Sequence, residues 1–183
     1  MSYPLRNLEP NITHHIFSRC IEQKTYLKKN NMKKMFCRIL KKAQKKYKFD
    51  LNGFVIMDNH FHFIITTLQN GGTIDRIMQY IKSKFARLYN KLHNRSGAYW
   101  SERYKNKVIE FVKKSAYYFN ILLSYLVYNP VKASIAETPS SFIYSSFNDY
   151  TGGKNKLGIK IKIHALFNQE LFQELCEMRN ILY

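Results

Sequence analysis

Two histidines one residue apart, His60 and His62, are the sharpest chemical feature of this chain. In an extended backbone residues i and i+2 point to the same face. Both imidazoles therefore project together, while Phe61, Phe63 and Ile65 turn the other way, toward a core. Two imidazoles on a rigid strand are a chelate for a divalent metal; two ordinary surface histidines would leave the same short pattern. A second cluster is Tyr125-Leu126-Val127-Tyr128-Asn129-Pro130. On a helix Tyr125 and Asn129 share one face, and a carboxamide oxygen is a hard ligand suited to magnesium or manganese. A core tyrosine and a helix-ending asparagine would read the same way. Taken together, the clusters make chemical sense. A phenol ionises near about pH 10, so as a nucleophile it needs a polarised electrophile. A metal on His60, His62 and Asn129 would polarise a phosphate for in-line attack by Tyr125. Tyr128 is the rival nucleophile, about 100° round the helix from Asn129 against about 40° for Tyr125. Tyr117, Tyr118 and Tyr144 lack such a partner.

Positioning these groups requires a sheet and helices, and the pattern supplies them. Thr13 to Cys20 reads as a strand. Asn30 to Lys48 carries a helical stripe of Met32, Met35, Phe36, Ile39, Leu40, Ala43 and Tyr47. Its other face holds Lys33, Lys34, Lys41, Lys42, Lys45 and Lys46 and reads as solvated. Leu51 to Met57 and His60 to Thr67 form a hairpin about the turn Asp58-Asn59. Thr73 is an N-cap for a helix from Ile74 to Leu92, and Asn94 to Gly97 is a turn. A fourth strand spans Lys105 to Phe111. A third helix spans Ser115 to Tyr128, stopped at Asn129-Pro130 because the residue before proline disfavours helical geometry. The order β-α-β-β-α-β followed by a helix predicts a ferredoxin-like α+β fold, an antiparallel sheet with a C-terminal helix carrying the tyrosine. Thr151-Gly152-Gly153 divides a domain of residues 1–150 from a tail, 151–183, in which His164 to Leu182 reads as an amphipathic helix.

The chain has 183 residues, 45% of them hydrophobic, enough for a core and too apolar for a disordered basic tail. Thirty Lys plus Arg against 12 Asp plus Glu give a net charge of +18. A polyanion relieves that self-repulsion, and nucleic acid is the foremost candidate. Fourteen tyrosines and 13 phenylalanines among these cations suit stacking on unpaired bases. Cys20, Cys37 and Cys176 are too scattered for a disulfide framework or zinc knuckle and fit a reducing cytoplasm. No secretory leader or membrane-length apolar run is visible. Phosphate-loop and serine-hydrolase motifs are absent, and no tight acidic cluster supports a carboxylate nuclease.

The sequence resembles the REP-associated tyrosine transposases, a branch of the single-tyrosine transposases with a His-hydrophobic-His motif. The resemblance runs from about Thr13 to about Tyr150. It is carried by His15-Ile16-Phe17-Ser18-Arg19, by Ile56-Met57-Asp58-Asn59-His60-Phe61-His62, and by Tyr99-Trp100-Ser101-Glu102-Arg103-Tyr104. Tyr125 through Ser134 and then Pro139 with Tyr144-Ser145-Ser146 complete it. It implies a DNA transposase-like endonuclease and strand transferase dependent on Mg²⁺ or Mn²⁺. Tyr125 would form a 5′-phosphotyrosine with single-stranded or hairpin DNA and release a 3′ hydroxyl. It further implies a homodimer, a cytoplasmic, nucleoid-associated location and no membrane partner, with Arg19, Arg103 and Lys132 as DNA contacts. Departures are Asp58 for a frequent Pro, Lys132 for Arg, and Ser134 and Cys20 for Gly. Lys132 keeps its charge and loses a bidentate fork. Three alternatives stand beside this reading: a replication initiator or relaxase of the same chemistry, an element retained only for repression, and a non-catalytic RRM-like module. The last would need exposed aromatics on its central strands.

Overall fold

The computed structural model describes residues 9–110, 112–153 and 156–182. Four strands form one antiparallel sheet: β1 (Thr13–Arg19), β2 (Asp50–Ile56), β3 (His60–Thr66) and β4 (Lys105–Val108), in the order β2-β3-β1-β4. Helices α1 (Asn30–Tyr47) and α2 (Ile74–Leu92) fall between strands, and α3 (Ser115–Lys132) follows β4. This is the expected ferredoxin-like order. A single turn, α4 (Phe147–Tyr150), precedes the last helix, α5 (Gln169–Leu182).

Strand alternation divides the sheet into two faces with different duties. Phe61, Phe63 and Ile65 of β3 are fully buried beneath α1 and α2. Phe36 of α1 lies 5.1 Å from the Phe61 ring, and Phe85 of α2 lies 5.0 Å from Phe36. Each such ring contributes roughly 2–3 kcal/mol by leaving water, so β3 is anchored from behind. The other face lies under α3. There Gly53 gives α3 room, since a Cβ at this position would stand 3.2 Å from both Leu123 and Ile64 side chains.

Lys33 departs from the solvated-face expectation, being only 3% exposed. Its ammonium meets the Asp58 carboxylate at 2.5 Å and the Lys28 carbonyl at 3.2 Å. The pair ties α1 to the β2–β3 turn just ahead of His60. A periodicity reading assigns lysine to water; here an aspartate in the turn draws it inward.

β4 ends at Val108, short of the expected Phe111, which lies outside the described residues. The Glu110 carboxylate accepts from the Thr13 N–H at 2.8 Å and takes the place of a ladder bond. α3 runs through Pro130 to Lys132 instead of stopping at Tyr128. Leu126, Val127 and Pro130 are buried on it, and that packing outweighs the roughly 3 kcal/mol cost of an internal proline. The chain turns out of the helix at Ser134, two residues past its end, where φ is a left-handed 53° and the N–H closes on the Val131 carbonyl.

β2 would be an open edge, yet its outer side is covered. The Ile56 N–H donates to the Tyr144 carbonyl, Ser146 N–H to Phe54, and Lys162 N–H to Leu51. β4 has no backbone hydrogen bond on its outer side among the described residues. α5 begins at Gln169, later than the expected His164, where the Asn168 carboxamide oxygen accepts from Leu171 N–H at 2.8 Å. It packs on α3 through buried Phe172 and Leu175.

Candidate active site

On the α3 side of the sheet, register brings His60 opposite Arg19, His62 opposite Phe17, and His15 opposite Ile64. β4 adds Lys105 beside Phe17 and Lys107 beside His15. His15, Phe17, Arg19, His62, Lys105, Asn106 and Lys107 line, with Tyr125, an open cleft of about 400 Å³.

The imidazoles are held in defined orientations. Asn59 Nδ2 donates to the Gln23 carbonyl at 3.2 Å, which fixes the amide so that its oxygen faces His60. His60 Nδ1 lies 2.6 Å from that oxygen and must carry the proton, leaving Nε2 with a lone pair. His62 is 5% exposed; its Nδ1 lies 3.1 Å from His15 Nε2, and its own Nε2 is buried with no hydrogen-bond partner. A buried polar nitrogen without a partner is costly, and a metal would satisfy it.

Electrostatics keep these rings neutral. Burial, then the His15 and His60 rings and Arg19, push His62 down to about 2. Burial and Arg19 push His60 down to about 4, opposed by Asp58. Burial and Lys107 push His15 down to about 4. Neutral imidazoles are what a divalent ion requires of its ligands. Among the described residues no group of three His, Cys, Asp or Glu converges on one point. A metal here would rest on two imidazoles and on oxygens from other sources, a weak site of the kind magnesium and manganese occupy.

Tyr125 stands over this pair. Its ring meets His62 edge-on, with centroids 5.7 Å apart and planes at 89°, and it is 36% exposed to the cleft side. The Arg179 guanidinium of α5 lies 5.9 Å from the Tyr125 ring centroid, while its Nε donates to Ser124 Oγ at 3.0 Å. Tyr128 is different: it is 3% exposed, its hydroxyl donates to Asn180 at 2.8 Å, and burial pushes its phenol up to about 12.

A sequence model of the IS200-like transposases matches residues 9–118. The chain belongs to the IS200-like transposase family. It is a DNA transposase and endonuclease in kind. No curated protein matches it. A REP-associated tyrosine transposase, solved bound to a REP hairpin, shares the fold at 17% identity and a TM-score of 0.67. The match covers 92% of this chain and 98% of that one. A putative transposase from Deinococcus radiodurans matches at 13% identity and a TM-score of 0.45, over 58% of this chain and 85% of that one.

The transposase fold gathers His60, His62, Tyr125 and Arg19 at one place. The Arg19 guanidinium lies 5.3 Å from the Phe17 ring, with its Nε buried and unpartnered. Asn129 sits one turn beyond Tyr125 on α3, its Nδ2 donating to the Tyr125 carbonyl at 2.8 Å, which leaves Oδ1 as its acceptor. Lys132 is exposed a further three residues on, roughly 10 Å along the axis from Tyr125. Arg103 lies elsewhere, on the α2 side, 3.5 Å from Asp75. Sequence reasoning gave no part in the chemistry of the site to His15, Asn59, Lys105, Lys107 or Arg179. The parity of β1 places His15, Phe17 and Arg19 on one face and was the available signal for His15; nothing local announced Arg179, which arrives from the tail. No described helix is long and apolar enough to cross a membrane.

Proposed function

We propose that this transposase cleaves and rejoins single-stranded or hairpin DNA through a covalent 5′-phosphotyrosine at Tyr125. The observation that carries the reading is the edge-on contact of Tyr125 with His62 within one chain, beside Arg19, Lys105 and Lys107. The phenolic oxygen attacks phosphorus and the bond to O3′ breaks. The phenol loses a proton and the leaving O3′ gains one, so the exchange is balanced without hydrolysis. Reversal by the same or another 3′ hydroxyl restores a phosphodiester.

His60 and His62 through their Nε2 atoms, with Asn129 Oδ1, would hold Mg²⁺ or Mn²⁺. When bound, that ion supplies Lewis-acid polarisation of a phosphoryl oxygen. Arg19 and the β4 lysines neutralise the backbone and hold it against the tyrosine. Arg103 and Lys132 would extend the track along DNA outside the cleft. The hairpin in the related solved complex supports folded single strands as the partner. α3 packs on β2 and covers that side of the sheet face that an RRM-like module would use for base stacking, which favours the enzyme reading. A homodimer belongs to this proposal only as an assembly of two complete sites, because Tyr125 reaches His62 of its own chain.

The test is a labelled oligonucleotide with manganese, resolved on a denaturing gel. Wild type and Tyr128→Phe are expected to form a covalent band. Tyr125→Phe is expected to bind DNA with unchanged affinity and give neither adduct nor free 3′ end. Cleavage by Tyr125→Phe without an adduct would make the enzyme a hydrolytic nuclease instead.

A further inference from the structure

His15 is the residue left unexplained at the centre of the cleft. It lies on β1, not in the His-x-His motif, and its ring stacks near-parallel to His62 with centroids 5.3 Å apart. Among the described residues the only hydrogen bond of the His62 side chain is to His15, Nδ1 to Nε2 at 3.1 Å.

A bond between two neutral imidazoles has two arrangements, since each ring carries one N–H. If His15 donates, the proton of His62 must sit on Nε2, where it is buried with no acceptor and closes that nitrogen to a metal. If His62 donates from Nδ1, its Nε2 carries a lone pair directed into a place where no protein group answers it. His60 shows which arrangement suits this site. Its Nδ1 faces the oxygen of Asn59, an acceptor only, so its Nε2 is the free ligand. The two rings are matched only when His15 accepts.

Resting on the metal reading above, we infer that His15 is the positioning residue of the metal centre: its Nε2 accepts from His62 Nδ1–H and so fixes His62 in the tautomer whose Nε2 can bind a divalent cation. His15 touches neither metal nor DNA phosphorus in this role. Outer-shell acceptors of this kind typically govern metal affinity by 10–100-fold.

Manganese binding, read by electron paramagnetic resonance on the full chain without DNA, separates the possibilities. His15→Phe, which keeps a ring and removes the acceptor, is expected to weaken Mn²⁺ binding by roughly 10–100-fold. His15→Gln, whose Oε1 can still accept, is expected to stay within about threefold of wild type. Nitrogen-15 spectra of wild type with Mg²⁺ are expected to show His62 protonated on Nδ1, a readout that needs no variant to fold. Equal Mn²⁺ affinity in His15→Phe, or His62 protonated on Nε2 in the Mg²⁺ form, overturns the inference and leaves the tyrosine chemistry standing. A wild type that binds no Mn²⁺, with His60→Ala as the matching control, overturns the metal reading and this inference together.

Discussion

Single side chains in this protein set the geometry of a neighbour more often than they act alone. Asn59 orients His60, His15 orients His62, and Lys33 holds the turn that delivers both. The Lys33–Asp58 pair is the most exposed to test. Removing one member leaves a poorly hydrated charge, and breaking such pairs costs roughly 3 kcal/mol. Lys33→Met is therefore expected to lower stability by about that amount in urea titration, allowing for the partial exposure of Asp58. Lys33→Met combined with Asp58→Asn is expected to recover part of the loss. A double variant no more stable than the single one would mean that the Lys33 ammonium acts through the Phe142 and Tyr144 rings it faces.

At the scale of elements, α3 is the part whose ends matter most, because it carries Tyr125 and Asn129. The turn out of it at Ser134 places a β-carbon in left-handed backbone, a conformation that glycine adopts freely and others reach at roughly 1 kcal/mol. Ser134→Gly is expected to raise stability by about 1 kcal/mol, visible as a higher unfolding midpoint, with cleavage unchanged. A lower midpoint would mean the serine hydroxyl matters more than its backbone. Elements with a strong period were legible in the sequence: α2 was read from Ile74 to Leu92 and is found there, and the β2–β3 hairpin turns at Asp58-Asn59 as read. The reading failed where a distant residue decides a local outcome. Glu110 ends β4 by bonding Thr13, and the buried flank of α3 carries it past Pro130. The cleft followed the same rule. His60 and His62 share a face by strand parity alone, whereas the approach of His15 needs the β1–β3 register and that of Arg179 needs the whole tail.

For the molecule as a whole, burial has collected most histidines in their neutral form. His14, His15, His60, His62 and His164 are all held below the ordinary value, desolvation being the first cause in each. The unfolded chain takes up protons near pH 6.5 that the native state refuses until about pH 4 at His15 and His60, and about pH 2 at His62. Stability is thus fully present above about pH 6.5 and is lost as pH falls below it, by up to about 1.4 kcal/mol per pH unit for each fully differential proton. Partial exposure of His15 and His60 reduces their share. Thermal midpoints from pH 7 to pH 4.5 are expected to fall steadily, and flat midpoints would remove this account. Assembly in one chain also has a mixing test. Tyr125→Phe and His62→Ala proteins, combined at equal concentration, are expected to remain inactive together. Recovered cleavage would mean that the tyrosine serves a second copy.

Segments 144–146 and Lys162 close the β2 side of the sheet and, among the described residues, leave β4 as the unpaired margin. A particle with one adhesive side and one sealed side is a chain terminator in the polymer sense. Two copies could join margin to margin, yet the pair would then offer no further growing end. On the described residues this valence of one gives edge-to-edge stacking no second growing end, and Lys105 and Lys107 add mutual charge repulsion at the remaining margin.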